Sequence, residues 1–396
     1  MLKQIKTSFW NYVNTGDIDD VVAIQDWKTM GFNMPMSWEY DENKHDKKRF
    51  LVMLDECAKA GMKVIVCDHR TLWKNLTNKG EEAFASDIER AVADFGAHPA
   101  TIGFHVGDEP NKQQMPDMIK AYRIVKEKAP HLSPFVNHLP YWEDFADIDA
   151  YRNHIEYLDD MVKKSGTEAI CYDYYGQMGV NDRERLVDLY FKNLNLFGEV
   201  ARRNNIPLWT TLLSTAHYNS KKLTEEDIVW QINTAVAHGC TGIFWFYVYF
   251  GGLVNGSYRD YAIYNYKEKC EYNDMYRYLS RQNRILLKYF APTLDKCDFH
   301  SVRHFNKSIG YTSLFTAGEF EIEKIEMIVN IEAPLIVSRF LNRENGKPVY
   351  LIVNNDQEKP VKFNVVYKEN SVSDTHGRLQ APDGWLAPCQ MVMLEL

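Results

Sequence analysis

Gly242-Ile-Phe-Trp-Phe-Tyr-Val-Tyr249 is an unbroken apolar and aromatic run. A strand with one wet face alternates polar and apolar side chains, so a run without alternation fits a strand covered on both faces, as parallel sheets require. Lys63-Val-Ile-Val-Cys67 reads the same way. Working outward from these two, six further strand-like runs appear: Thr7–Val13, Gly31–Met36, Thr101–Val106, Ser133–His138, Ala169–Tyr174 and Pro207–Leu213. The eight runs start roughly 25 to 40 residues apart, which is the spacing of strand–helix units.

The intervening segments carry a helical period. Lys47–Ala60 sets Phe50, Leu51, Leu54 and Cys57 on one face before Gly61, and Glu81–Phe95 does the same with Phe84, Ile88, Val92 and Phe95 before Gly96. Thr224–Ala237 opens Thr-Glu-Glu-Asp, an N-cap with acids at the positive helix end. Asn273–Tyr289 closes the eighth unit. Eight such units over residues 1–291 predict an α/β fold, a (β/α)8 TIM barrel. After Ala291-Pro292 the pattern changes to short alternating segments, Glu319–Ile328, Leu335–Phe340, Pro348–Asn354, Val361–Tyr367 and Gln390–Leu396. These predict a small C-terminal all-β sandwich domain over residues 292–396.

Composition narrows the partners. Aromatic residues make up 13%, with 9 Trp and 24 Tyr, which suits sugars with one apolar face and an edge of hydroxyls, although core packing uses the same side chains. The formal net charge is −8 and no Lys/Arg block occurs, so a nucleic-acid or anionic-membrane partner is not expected. No apolar run approaches the ~18 residues that a spanning helix needs. Seven scattered cysteines without disulfide spacing, and an N-terminus without an apolar signal stretch, point to the cytoplasm. A secreted protein read after removal of its signal peptide would give the same sequence. Tyr190 and Phe191 on an outer helix suit either the core or a dimer interface, which leaves a homo-oligomer open.

Barrel active sites lie at the C-terminal ends of the strands. Those ends supply Trp10, Asn11 and Asn14; Trp38 and Glu39; Asp68 and His69; Asp108 and Glu109; Asn137, His138 and Trp142; Asp173, Tyr174 and Tyr175; Ser214 and His217; and Trp245, Tyr247 and Tyr249. Carboxylates, amides and aromatics with little positive charge suit glycoside hydrolysis, in which an acid protonates the leaving oxygen beside a cationic transition state. No cofactor is implied. In Phe104-His-Val-Gly-Asp-Glu-Pro-Asn111 the adjacency of Asp108 and Glu109 is expected to raise one of the two pKa values, which favours a protonated acid near neutral pH. Strand alternation places only one of the two in the site. Both could instead cap the following helix.

That segment resembles the strand-4 signature of (β/α)8 glycoside hydrolases, in the clan that includes β-galactosidases and cellulases. There Asn-Glu-Pro carries the acid/base, and the resemblance implies that role for Glu109. Two departures stand out: Asp108 replaces the Asn, and Leu208-Trp-Thr-Thr-Leu-Leu-Ser214 has no Glu where the clan places its nucleophile. Asp173 is the leading substitute partner, ahead of Glu39 and Asp68. Alternatively, adjacent Asp-Glu is similar to β-N-acetylhexosaminidases, and Tyr172-Asp-Tyr-Tyr-Gly176 resembles the strand-6 segment of chitinase-type barrels. Under that reading a substrate acetamide supplies the nucleophile, Asp108 orients it, and Tyr174 or Tyr175 donates a hydrogen bond.

The remaining candidates for sugar contact are Trp10, Asn11, Trp38, Glu39, Asp68, His69, Asn137, His138, His217, Trp245 and Tyr247, with Trp245 favoured for stacking. Each has a structural alternative, packing for the Trp residues and satisfied burial for the His residues. Two rival functions follow. A barrel that binds carbohydrate without catalysis would explain the missing strand-7 Glu. A metal-dependent amidohydrolase would use Asp68, His69, His105, His138 and His217, but strand 1 lacks a His-x-His pair, so no metal site is expected.

Overall fold

The computed structural model describes residues 2–142, 148–178, 181–218, 220–250, 258–315, 325–329, 334–367, 373–374 and 383–395. Eight parallel strands form the first sheet: β1 (Lys6–Phe9), β2 (Met36–Tyr40), β3 (Val64–Asp68), β4 (Thr101–Asp108), β5 (Phe135–His138), β6 (Ile170–Asp173), β7 (Leu208–Leu213) and β8 (Cys240–Phe246). From β2 to β8 each strand pairs with the next, and β8 returns to β1 with Phe9 opposite Trp245. Between β1 and β2 the ring closes through hydrogen bonds that each join one strand to the residues flanking the other. The Met34 N–H donates to the Thr7 carbonyl at 3.1 Å and the Glu39 N–H to the Val13 carbonyl at 2.8 Å. Helices follow the strands on the outside, which makes the sheet a TIM barrel.

One strand is displaced from its sequence-based range. Gly31–Met36 is expected to be β2, whereas the strand runs Met36–Tyr40. Gly31 has φ of +76° and ends the preceding helix, and Pro35 has no N–H for a ladder. Asn33 serves β1 in place of a strand: its Oδ1 accepts from the Thr7 N–H at 3.0 Å and its Nδ2 donates to the Ile5 carbonyl at 3.1 Å.

Helix starts follow their caps. Asp19 accepts from the Val22 N–H, Asp46 from Lys48 and Asn273 from Met275, while the Thr224 N–H donates to Asp227 Oδ2 at 2.9 Å. The helix at Glu81–Ala91 widens into a π-turn over Val92–Gly96. Aromatic side chains fill the barrel interior: Phe135 and Phe244 stack at 4.9 Å, beside Trp10 and Trp209. This packing forms a solid floor beneath the mouth.

The C-terminal part contains two antiparallel sheets, one of five strands beginning with Cys297–His304 and one of three, Ile325–Val329, Val361–Tyr367 and Asp383–Leu386. The first of the three starts inside the expected Glu319–Ile328 segment, whose first six residues lie outside the described ones. Trp230 Nε1 donates to Asn355 Oδ1 and Asn233 Nδ2 to the Cys389 carbonyl, each at 2.8 Å, tying a barrel helix to this part. All seven cysteines are unpaired. Among the described residues no helix is long and apolar enough to cross a membrane.

Gly107 sets how closely the outer layer approaches β4. A Cβ there would lie 2.1 Å from Cδ1 of Trp73, closer than any contact can be. Gly107→Ala is expected to lower stability by about 1–3 kcal/mol through forced repacking. A urea midpoint unchanged from wild type would show that Trp73 moves aside freely.

Candidate active site

β4 ends at Asp108, and Glu109 then takes a left-handed backbone with φ of +44°. This conformation is costly for a residue with a Cβ and is found where surrounding structure enforces it. The Glu109 N–H is held by the Asn137 carbonyl at 2.9 Å, and Pro110 is buried behind it. The expectation that alternation keeps Asp108 and Glu109 apart is therefore corrected. The turn at Glu109 interrupts the alternation, and both carboxyls line one cleft.

That cleft, about 520 Å³ in volume, opens at the C-terminal ends of the strands. Asp173, at the end of β6, is the third carboxyl. Its neighbour Tyr175 also faces the cleft, whereas Tyr174 points away, packed 5.0 Å from the Trp142 ring with its hydroxyl unpartnered. The remaining walls are Trp10, Tyr12, Asn137, Trp142, Met178, His217, Tyr218, Phe246 and Tyr258. Trp142 and Tyr218 are each 52% exposed and form flat apolar surfaces at the rim.

Asn137, at the tip of β5 between β4 and β6, ties the carboxyls together. Its Nδ2 donates to Asp108 Oδ1 at 3.1 Å and to Asp173 Oδ1 at 2.8 Å. The Glu109 and Asp173 carboxyls lie within hydrogen-bonding reach of each other, and the Tyr175 hydroxyl lies beside Asp173. Burial, then the charges of Glu109 and Asp108, raise the Asp173 carboxyl well above its ordinary value. Burial raises Glu109 as well. Asp108 is open to cleft water on one side, but the surrounding walls and the Glu109 charge push it up to about 6. Two carboxyls in such contact share one proton and titrate as a pair.

The other expected contacts divide. Trp10 and His217 reach the cleft. The Trp10 indole donates to Thr211 Oγ1 at 3.1 Å, and His217 Nε2 is 3.0 Å from the Tyr258 hydroxyl. Burial lowers His217 to about 4, so it is neutral at pH 7. Glu39 and His69 pair with each other at 2.7 Å outside the cleft lining. Asp68 is buried and gripped by Arg70, which also binds Asp94 at 2.8 Å and Glu42 at 3.1 Å. Asn11 is buried, its amide donating to the Met36 carbonyl. His138 is buried and held neutral, its pKa lowered by burial to about 4.

The structure also takes Trp38 and Trp245 out of reach of any sugar. Trp38 packs on Trp27 and donates to Asp20 Oδ1 at 2.8 Å, and Trp245 is fully buried, donating to Asn283 Oδ1 at 3.0 Å. Side chains alternate along β8, so with Trp245 turned toward the helices its neighbour Phe246 lines the cleft instead. Tyr247 is buried, its hydroxyl donating to that of Tyr261. Tyr12, Met178, Tyr218, Phe246 and Tyr258 were not singled out by the sequence. Only Phe246 carried a usable signal, the parity of its strand.

β7 brings no carboxyl to the cleft. Its end instead secures the tip of β8, with the Ser214 and Thr215 hydroxyls donating to the Tyr247 carbonyl. Among the described residues no group of three or more His, Cys, Asp or Glu is placed to hold a metal ion.

No family model matches the sequence. No curated protein matches it either. Solved structures do match. Gan42B, a GH42 β-galactosidase from G. stearothermophilus, superposes with a TM-score of 0.66 at 10% identity, over 100% of this chain and 98% of that one. A β-galactosidase from Bacillus circulans sp. alkalophilus gives a TM-score of 0.65 at 8% identity, over 100% and 99%. Amy13B of Eubacterium rectale gives 0.52 at 11% identity, over 100% and 96%. At such identities the likeness is one of fold. The chain shares the barrel architecture of these proteins.

Proposed function

We propose that this chain is a glycoside hydrolase acting on an oligosaccharide or glycoside, with Glu109 as general acid/base and Asp173 as its partner. The observation that carries the reading is the meeting of Asp108, Glu109 and Asp173 in one aromatic cleft at the strand ends. The Glu109–Asp173 pair holds one proton between two carboxyls. Glu109, exposed to the cleft, delivers that proton to the leaving oxygen. Asp173 is left ionised, its charge stabilised by the hydrogen bond that Asn137 Nδ2 donates and by the nearby Tyr175 hydroxyl. A carboxylate so stabilised is suited to attack the anomeric carbon. Neighbouring carboxyls stand nearer to the ~5–5.5 Å separation of retaining enzymes than to the ~6.5–9.5 Å that inversion needs for its water, which favours retention once a sugar has parted the pair. Trp142 and Tyr218 offer stacking surfaces at the rim.

The substrate-assisted reading is favoured by one observation, that Asp108 shares the cleft with Glu109 and is oriented by Asn137. There Asp108 would hold a 2-acetamido group against the anomeric carbon. As part of the same reading, the two C-terminal antiparallel sheets form a sandwich domain that begins near residue 292 and supports the barrel from outside. The protein acts without a cofactor, and the cytoplasm is its proposed location.

Aryl glycosides with 2-hydroxyl and 2-acetamido groups, offered to wild type and Glu109→Gln, test the assignment. Wild-type turnover is expected, with a loss in the variant of about 10²–10⁴-fold, the usual contribution of a positioned acid. Equal rates would remove Glu109 from the chemistry. Preference for acetamido sugars would transfer the nucleophile to the substrate.

The pair also fixes the shape of the pH profile. Activity needs one proton on the pair, so it falls in acid as both carboxyls protonate and in alkali as the shared proton leaves. The Asp108 charge helps to raise Asp173. Asp108→Asn is therefore expected to move the alkaline limb to lower pH, read from kcat/KM against pH. An unmoved limb would show that the pair does not sense Asp108.

A further inference from the structure

The proton donors below the rim of the cleft can be accounted for one by one. The Trp10 N–H is bound to Thr211 and Asn137 Nδ2 to Asp108 and Asp173, while the Tyr175 hydroxyl has the Asp173 carboxyl beside it. The Tyr258 hydroxyl is engaged with His217 and Tyr218. Nδ1 of His217 lacks a partner but is fully covered. At the floor this leaves Tyr12. It lines the cleft, is half-buried, and its phenol has no hydrogen-bond partner among the described residues.

Tyr12 is nevertheless held firmly. Its ring lies nearly parallel to Trp10 at 6.1 Å and meets the edge of Tyr247 at 5.4 Å. Trp10 and Tyr247 are themselves anchored, to Thr211 and Tyr261. Burial, then the charges of Asp108, Glu39 and Asp173, hold the phenol well above its ordinary 10, so it remains a donor. A fixed donor without an acceptor, in a cleft whose other floor groups are carboxylates, is a position for a ligand oxygen.

We propose that Tyr12 is a substrate-contacting catalytic residue, whose hydroxyl donates a hydrogen bond to an oxygen of the sugar ring seated against Glu109 and Asp173. The assignment rests on the glycoside-hydrolase reading, and it commits the ligand to an oxygen-bearing acceptor at that point. Tyr12→Phe removes the hydroxyl and keeps the ring packing. The fold loses no hydrogen bond, so the thermal midpoint is expected to equal or exceed that of wild type.

kcat/KM for an accepted 4-nitrophenyl glycoside is expected to fall roughly tenfold or more, the cost of one hydrogen bond. With monodeoxy glycosides that penalty should vanish for the derivative lacking the contacted oxygen, a coupling that a packing role would not produce. Wild-type kcat/KM in Tyr12→Phe on every accepted glycoside would overturn the assignment. Calorimetric titration of the parent free sugars separates the two claims. Sugar bound without turnover, and bound about tenfold more weakly by Tyr12→Phe, would sink the hydrolase reading and keep the contact. No sugar bound by wild type would remove both.

Discussion

Three carboxyl groups placed in one cleft repel one another, and much of the surrounding construction answers that repulsion. Asn137 stands between two of them with an amide that gives a hydrogen to each. Glu109 takes a strained backbone that turns it toward Asp173, and the Asn137 carbonyl holds that turn through the Glu109 N–H. One residue at the end of β5 thus fixes the geometry of β4 and β6 with both its side chain and its main chain. Without that clamp, charge repulsion and the cost of a left-handed Glu would both open the site.

The clamp depends in turn on a barrel with a packed interior. Phe135, two residues before Asn137, stacks on Phe244 across the interior, beside Trp209. This places β5 against β8 through rigid rings rather than through hydrogen bonds. Beyond β3, the neighbour of β4, Arg70 gathers Asp68, Asp94 and Glu42 beneath the rings of Tyr40 and Phe95. Asp68 therefore acts as the counterion of a structural arginine. A buried charge left by loss of either partner would cost about 3–5 kcal/mol.

The fold was legible because parallel strands covered on both faces leave continuous apolar runs, and seven of the eight barrel strands lie mostly within those runs, β2 sharing only Met36. β2 was misplaced because Phe32 and Met34 are apolar without being in a strand, while Asn33 and Pro35 decide the backbone. At the site, the sequence located the strand ends and hence Asp108, Glu109, Asn137 and Asp173. It did not show which side of a strand faces the mouth, so Trp38 and Trp245 were placed among the sugar contacts although both are buried. Alternation failed at Glu109 for another reason: a positive φ is enforced by tertiary contacts with Asn137, and nothing local announces it. Tyr12 was hidden because its run, read as Thr7–Val13, leaves the strand after Phe9, beyond which side-chain parity means nothing. Tyr258 belongs to no barrel strand and reaches the cleft only through the fold.

The same carboxyls set a conflict between function and stability. A carboxyl whose pKa is higher in the folded than in the unfolded chain favours folding while it is protonated. That contribution is fully present below the unfolded pKa and is lost as pH rises to the folded one. For Asp108 the window runs from its ordinary 3.8 to about 6. Asp173 extends the loss higher, since burial and two neighbouring charges raise it further. At neutral pH the cleft therefore works against the fold that holds it. Removing a charge there, by Asp108→Asn for instance, relieves the fold and alters the chemistry together, so the stability of the native protein has to come from the packed barrel below.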